Sequence, residues 1–176
     1  GYRVGFVGGS DNHRAQPGSK RCPMAGLDPR DTHVGGLTAV MAPELTRKAI
    51  WEALWNRRCY ATSGERILLK VDVNGHMMGE AVKMAEGEER KKARTIYAKV
   101  VGTDKIKEID VVRNNLDVYT HVGKGVVEEF KWTDRAGLTD GSPAIKSGEH
   151  STVFYYLRVI QEDGEKAWSS PIWFLF

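Results

Sequence analysis

The stretch ILLKVDVNG, residues 67–75, decides the fold of this chain. Positions 67, 69, 71 and 73 are apolar, whereas positions 70 and 72 are charged. An alternation of period two is typical of a half-buried strand, because successive side chains of a strand point to opposite faces. Asn74-Gly75 then predicts a tight hairpin turn. The chain is therefore expected to build a β-sheet from this point onward.

Similar alternating runs recur through the rest of the chain, bounded by turn residues, at 94–101, 106–113, 116–121, 126–132 and 152–161. A last run, 167–176, contains Pro171 and is predicted to lie at a sheet edge or after a bulge. About seven short strands of this kind favour an antiparallel β-sandwich. Residues 66–176 are thus predicted to form an immunoglobulin-like or fibronectin-like sandwich domain.

Residues 1–65 have a different pattern and are predicted to form a separate domain. Residues 2–7 are expected to form a buried strand, residues 37–42 a second apolar run, and a helix is expected from Pro43 to Arg58. Because this helix is apolar over much of its circumference, we expect it to be covered on more than one side. Trp51 and Trp55 lie four residues apart, a spacing more typical of packing than of a cofactor site.

Composition excludes several classes of protein. The chain has 176 residues with 26 basic and 23 acidic side chains, a globular composition rather than that of a disordered or fibrous chain. Its apolar runs are too short for a membrane-spanning helix. Cys22 and Cys59 are too few for a disulfide scaffold, and we expect them to stay unpaired, since a chain of this size can build an adequate core without a bridge.

The basic excess lies in the first sixty residues, where Arg14, Lys20 and Arg21 fall in a predicted loop. Such a loop can attract anions, or its charges can serve only to keep it solvated. Nucleic-acid binding is disfavoured, because no aromatic residues interleave with the basic ones.

One short motif has the residue types of a chemical site. Gly8-Gly9-Ser10-Asp11-Asn12-His13 follows the first predicted strand, and Asp11 and His13 can direct a carboxylate oxygen and an imidazole nitrogen to one point. Both are suitable ligands for zinc, manganese or iron. The alternative is an Asx turn made by Asp11 with His13 at the surface.

Several separated motifs resemble the C-terminal part of the PHP (polymerase and histidinol phosphatase) superfamily of metal-dependent hydrolases, in a branch of large proteins of undefined function. They are VGFVGGSDNH (4–13), Pro17-Gly18, GGLTAVMAPELTRKAIWEAL (35–54), RRCYATSGERI (57–67) and the ending from Tyr155. The resemblance implies an α+β chain in which a remnant of an α/β, TIM-like barrel precedes the sandwich. It is weakest between residues 86 and 151.

The resemblance also implies a function. Asp11 and His13 would hold a divalent metal, and the other ligands would lie in an upstream barrel portion of a longer parent chain, so that the chain alone would be inactive. The reaction would be metal-assisted hydrolysis of a small anionic phosphoester. Arg14, Lys20 and Arg21 would neutralise its phosphate.

Other residues offer alternatives to this site. His33 is near enough in sequence to approach Asp11 and His13, whereas His76, His121 and His150 are expected to face solvent. Asp28 and Asp31 suit metal ligation and turn chemistry equally well.

A second class of function is a non-catalytic binding or assembly module. In it Tyr119, Trp132 and Trp168 would form a stacking platform for sugars, although core packing is the more usual role of such rings. A third possibility is that the sandwich domain has no binding function of its own and only supports the barrel.

Overall fold

The computed structural model describes residues 2–10, 21–22, 33–140, 145–147 and 150–176. These residues are mostly β, with one α-helix, α1 (Arg47–Trp55), and a short 3-10 helix at Gly87–Arg90. The strands are β1 (Arg21–Cys22), β2 (His33–Val34), β3 (Leu37–Val40), β4 (Cys59–Thr62), β5 (Leu68–Val73), β6 (His76–Met77), β7 (Ala81–Lys83), β8 (Arg94–Val101), β9 (Ile106–Arg113), β10 (Leu116–Val122), β11 (Val127–Asp134), β12 (Ile145–Ser147), β13 (His150–Gln161), β14 (Lys166–Ser169) and β15 (Ile172–Leu175).

These strands form three sheets. The largest has nine strands in the order β10-β9-β13-β14-β4-β3, with β12 and β15 also pairing with β13 and β7 pairing with β15. It is mixed, since β15 and β7 run parallel whereas the other pairs are antiparallel. A four-stranded antiparallel sheet has the order β11-β8-β5-β6, and β1 and β2 form a two-stranded sheet.

The two larger sheets share one hydrophobic core. Every second residue of β5 and β8 is buried, for example Val71 and Ile96, as the period of the sequence requires. From the nine-stranded sheet, Ile109, Val153 and Leu157 join the same cluster and are almost fully buried. The alternation around residues 67–75 therefore correctly identifies which side chains form the core.

The predicted fold class is wrong. No remnant of an α/β barrel is present in the described residues, where α1 is the single α-helix and the strands lie in mixed and antiparallel sheets. β3 and β4, which were expected to belong to the barrel, pair instead with each other, and β4 pairs with β14 of the nine-stranded sheet. The continuous ladder from β3 to β14 leaves no separate barrel layer there. The division into domains at residue 65 stays a prediction.

The strand predicted at residues 2–7 is also absent, because this segment is held by side chains rather than by a backbone ladder. The Phe6 N–H donates to Ser170 Oγ at 2.9 Å, and the Gly8 N–H donates to Thr38 Oγ1 at 3.0 Å. Tyr2 and Val4 are exposed. Residues 2–7 therefore have the apolar pattern of a strand but lack, among the described residues, a neighbouring strand with which to pair.

α1 begins four residues later than predicted. Thr46 has an extended backbone and its hydroxyl accepts a hydrogen bond from the Ala49 N–H at 3.2 Å, so it caps the helix and Arg47 is the first helical residue. The helix ends at Trp55, and Arg57 follows with a φ of 59°. Pro43 lies before the helix rather than in its first turn.

One predicted turn and one proline-containing run have clear outcomes in the structure. Asn74 and Gly75 have φ values of 53° and 84° and connect β5 to β6, which confirms the predicted tight turn. The run 167–176 is divided at Pro171 into β14 and β15, because proline has no N–H for a ladder. Both strands pair with β13 and another strand, so the expected edge position is wrong.

Candidate functional site

The predicted metal and phosphate ligands fall outside what the structure describes. Asp11, His13, Arg14 and Lys20 lie outside the described residues, and for Arg21 only the backbone, in β1, is described. Among the described residues there is no group of three or more His, Cys, Asp or Glu side chains arranged to hold a metal ion. The metal site and its cofactor therefore stay predictions.

The glycines that precede Asp11 make a close backbone crossing. A Cβ atom on Gly8 would lie 2.4 Å from the Leu37 carbonyl oxygen, so only glycine fits at this point. The Gly36 N–H donates to the Gly9 carbonyl at 3.0 Å and fixes the crossing. A groove of about 460 Å³ runs along the segment, lined by its glycines and by Trp168.

The three rings proposed as a sugar platform are not assembled into one surface. Tyr119 and Trp132 stack on each other with centroids 5.1 Å apart and pack, half-buried, against the core. Trp168 lies in β14, which is separated from β10 by β9 and β13, and lines the glycine groove. Core packing therefore accounts for Tyr119 and Trp132, whereas Trp168 belongs to a different part of the molecule.

His121 was expected to face solvent, and this prediction is wrong. Its side chain is only 18% exposed, and its ring stacks on Phe130 at a centroid distance of 4.5 Å. Its Nε2 lies 2.8 Å from Glu128 Oε2, while Glu128 Oε1 accepts hydrogen bonds from the Lys124 and Gly125 N–H groups. Burial acts to raise the pKa of the Glu128 carboxyl, but these hydrogen bonds outweigh it and the pKa is lowered.

The described side chains of His76, His150 and Cys59 are not joined in a cluster. His76 pairs with Glu80 at 3.0 Å, with its side chain 40% exposed, and His150 is exposed as expected. His33 is placed in β2, although its side chain lies outside the described atoms. Cys59 has a free, buried thiol 3.8 Å from Ser170 Oγ.

A buried charged cluster lies at one end of the core, and the sequence analysis missed it. Asp134 Oδ2 accepts hydrogen bonds from Arg113 Nη1 at 3.0 Å and from the Tyr155 hydroxyl at 2.6 Å. Arg113 Nη2 also donates to the Gly137 carbonyl at 2.6 Å. Burial, followed by the hydrogen bond to Asp134, raises the pKa of Tyr155. The cluster joins the loop at Gly137 to strands of both larger sheets, and its hydrogen bonds give it a structural role.

The outer face of α1 is exposed and aromatic. Trp51 and Trp55 are 63% and 72% exposed, and their rings stack with centroids 5.9 Å apart. Ala49 and Ala53, on the opposite side at about 100° per residue, are buried against the sheet. The sequence indicated an apolar helix surface here, and the structure places its bulkiest residues on the side away from the core.

A second apolar surface is a cleft between β3 and β5. The nine-stranded sheet ends with β3, and two adjoining cavities of about 370 and 330 Å³ lie beside it, sharing Tyr60 and Leu68 in their walls. Leu68 is 60% exposed. A sequence signal for this cleft exists, because Leu68 is apolar at a position where the alternation predicts a polar residue.

Comparison with known proteins gives similarity without an assigned activity. A family described as "Protein of unknown function (DUF3604)" matches residues 19–103. An uncharacterized protein of Chlamydia muridarum is 37% identical over 138 residues, which are 78% of this chain and 22% of that protein. An uncharacterized protein of Chlamydia pneumoniae is 33% identical over 172 residues, 97% of this chain and 27% of that protein. No solved structure matches the chain.

These similarities correct the proposed resemblance to the PHP superfamily. The motifs at 35–54 and 57–67 that suggested it lie inside the region that matches the family of unknown function, and none of the matching relatives is described as a PHP protein. The chain also spans only about a quarter of the length of the curated relatives it matches. None of the described helices has the length and apolar character needed to span a membrane.

Proposed function

We propose that the chain is a non-catalytic, β-rich assembly module that packs against the remainder of a longer protein through the outer face of α1. The observation that carries this proposal is the stacked, exposed pair Trp51 and Trp55. Exposed contiguous aromatic surface is typical of interaction sites, and tryptophan is enriched among the residues that dominate interface energies.

The position of the two rings supports docking rather than folding of the chain itself. The helix is already anchored by Ala49 and Ala53, which are 6% and 2% exposed. Its C-terminal end is held by Arg57, whose Nε donates to the Gly79 carbonyl at 3.1 Å. Because the helix needs no further contact to be held on the sheet, the tryptophans are free to contact another polypeptide.

The two tryptophans offer a large apolar area at the centre of this face. Burying one tryptophan removes on the order of 150 Å² of surface from water, which favours association by about 4 kcal/mol before its entropic costs. Leu54, 39% exposed, continues the apolar surface, and the Lys48–Glu52 ion pair, 4.0 Å long, borders it. An apolar centre with a charged rim is the usual arrangement of a protein interface.

The length of the relatives supports the choice of partner. They are about four times as long as the part that this chain matches, so the segment matched in them is one part of a larger polypeptide. We therefore expect the full coding frame of this protein to encode further residues that cover α1. A frame that encodes these 176 residues alone would contradict the proposal.

The decisive experiment replaces Trp51 and Trp55 by Lys in the longer protein and in the isolated chain. In the longer protein we expect the double variant to destabilise the whole by about 2 kcal/mol or more, measured by urea denaturation. In the isolated chain, where the rings are exposed, the effect should stay within about 0.5 kcal/mol. Leu116→Lys, at an exposed leucine of β10, is the matched control and should have little effect in both. Equal effects in the two contexts would contradict docking.

The metal-dependent hydrolase and its anionic substrate stay predictions based on Asp11 and His13. Among the described residues nothing favours that function over the assembly module.

A further inference from the structure

The cleft between β3 and β5 has an open strand edge along one side. The Met41 N–H donates to the Arg58 carbonyl at 2.8 Å, which continues the β3–β4 register. Bonding in an antiparallel pair alternates between successive residues, so the backbone groups of Thr38 and Val40 point away from β4. Within the described residues no strand pairs with that side of β3. Such an edge is a template for an added strand.

The two cavities lie one after the other along β3. Leu37 and Ala39 line the cavity of about 370 Å³, and Met41 lines the cavity of about 330 Å³. Alternate residues of a strand are about 7 Å apart. A strand added to β3 would therefore direct two of its own alternate side chains into the two cavities.

The opposite wall of the cleft is fixed before any partner binds. The Tyr60 hydroxyl donates to the Ile67 carbonyl at 2.9 Å and accepts from the Leu69 N–H at 3.3 Å, so it satisfies backbone groups at the edge of β5. Burial raises the pKa of Tyr60, and the bond from Leu69 opposes this shift only in part. Because this edge of β5 is already occupied, β3 is the side of the cleft whose outward backbone groups have no strand partner in the described part of the chain.

Two lysines give one end of the cleft a positive charge. Lys70 and Lys99 lie directly opposite each other in the β5–β8 register, and both line the cavity at the Met41 end. Lys99 is paired with Glu129 at 3.0 Å, whereas Lys70 has no ion pair among the described residues. Two neighbouring like charges with one acidic partner favour the approach of a further carboxylate.

We propose that this cleft binds an extended polypeptide segment of a partner protein, which adds to β3 as a strand. Two apolar side chains at alternate positions of the segment fill the cavities, and a carboxylate at one end meets Lys70 and Lys99. Strand addition of this kind draws affinity from main-chain hydrogen bonds and specificity from pockets for alternate side chains.

The test uses a pool of synthetic heptapeptides in which polar residues alternate with Val, Leu, Ile or Phe and the last residue is Glu. Binding to the isotope-labelled chain is followed by the backbone amide signals in NMR spectra. We expect members of the pool to shift the signals of Thr38 and Val40 and to bind Leu68→Asp at least about tenfold more weakly. The variant Leu116→Asp, at a leucine of similar exposure on β10, should bind as the wild type does. Peptides ending in Gln should bind up to about fivefold more weakly, a difference that Lys70→Ala with Lys99→Ala removes.

Several outcomes would overturn this proposal. The first is that no member of the pool shifts the amide signals of β3. The second is that Leu68→Asp melts like the wild type and yet binds the peptides equally well. The third is that added dodecanoate shifts these signals whereas no peptide does. The last would identify the cleft as a site for a small amphiphilic anion. The double variant Trp51→Lys with Trp55→Lys should bind the peptides normally, so failure here and failure of the proposed assembly function remain distinguishable.

Discussion

The strand-rich part of the molecule and its N-terminal part treat apolar residues in opposite ways. In β5 and β8 the apolar alternate positions are buried, with Val71 at 2% and Ile96 at 0% exposure. In residues 2–62 many apolar side chains lie at the surface, among them Tyr2 at 98% and Trp55 at 72%. Both parts contain apolar runs in the sequence, although their periods differ.

The difference shows that burial depends on a partner element as well as on the pattern. β8 has neighbours on both sides, β5 and β11, and its inner face meets the nine-stranded sheet. The segment 2–10 is attached by hydrogen bonds to Ser170, Thr38 and Gly36 and by an edge contact of the Phe6 ring with Tyr156, without a strand ladder. The exposed apolar side chains of segment 2–10 and of the outer face of α1 are therefore available for contacts with another polypeptide, whereas the alternate apolar side chains of β5 and β8 that face the core are used within the fold.

The largest expected effect concerns the buried charges of the strand-rich part. Asp134→Ala removes a partner of Arg113 and Tyr155, both about 2% exposed. It leaves a buried guanidinium without its carboxylate, with only carbonyl acceptors remaining, and a buried hydroxyl without its acceptor. We expect the free energy of unfolding to fall by about 3–5 kcal/mol, measured by urea denaturation.

Asp117→Ala is the matched control for this change. The Asp117 carboxylate is 48% exposed and lies 2.8 Å from Arg158, which keeps a second partner in Asp110. Its loss should cost less than about 1 kcal/mol. Similar costs for the two variants would mean that the buried cluster does not hold the strand-rich part together.

A smaller, pH-dependent effect is expected from Glu128, which is 7% exposed. Because its pKa is lower in the folded chain, the stability it contributes is fully present above the pKa of an unfolded glutamate, about 4.3, and is lost as pH falls through the folded value. Glu128→Gln should therefore be less stable than the wild type by about 1–2 kcal/mol at neutral pH, with the gap narrowing in acid. Urea denaturation between about pH 7 and pH 3 measures both quantities.

Glu162→Gln serves as the control for the pH series. Glu162 is half exposed and lies 3.6 Å from Lys105, so its replacement should change stability by less than about 0.5 kcal/mol at any pH. A gap between Glu128→Gln and the wild type that stays constant or widens in acid would show that the lowered pKa of Glu128 is not coupled to folding.

Strands could be predicted where alternate residues face the core and the residues between them face the other side of the sheet. The runs predicted at 94–101 and 106–113 are β8 and β9, and the turn at Asn74-Gly75 is where the sequence placed it. The period of two determines the face of each residue. It does not determine which strands become neighbours, and so the pairing of β4 with β14 could not be read from the sequence.

The candidate sites were predictable only in part, for a similar reason. The apolar circumference of α1 was visible in the sequence, and so was the exposed position of Leu68. The cleft itself depends on β3, the last strand of the nine-stranded sheet, lying beside β5 of the other sheet. This placement is a property of the topology. Arg94 and Arg113 are buried although arginine usually lies at the surface, because carbonyl and carboxylate acceptors surround them, several of which come from the distant segment 134–137.

The smallest expected effect on global stability belongs to the N-terminal segment. Gly8→Ala places a Cβ 2.4 Å from the Leu37 carbonyl, a backbone atom that cannot turn aside as a side chain can. We expect the segment to detach locally, with the amides of Phe6 and Gly8 losing protection from hydrogen exchange and the core remaining folded. The free energy of unfolding should fall by no more than about 1 kcal/mol, because few core contacts depend on the segment.

Gly9→Ala separates the steric cause from a general effect of replacing glycine. A Cβ on Gly9 would meet no atom within 4 Å, so this variant should keep the protection of Phe6 and Gly8. If Gly8→Ala unfolded the core together with the segment, the two parts of the molecule would form one cooperative unit. If instead both variants kept full protection, the backbone crossing at Leu37 would not be what holds the segment in place, and the exposed apolar residues of the N-terminal part would need another explanation.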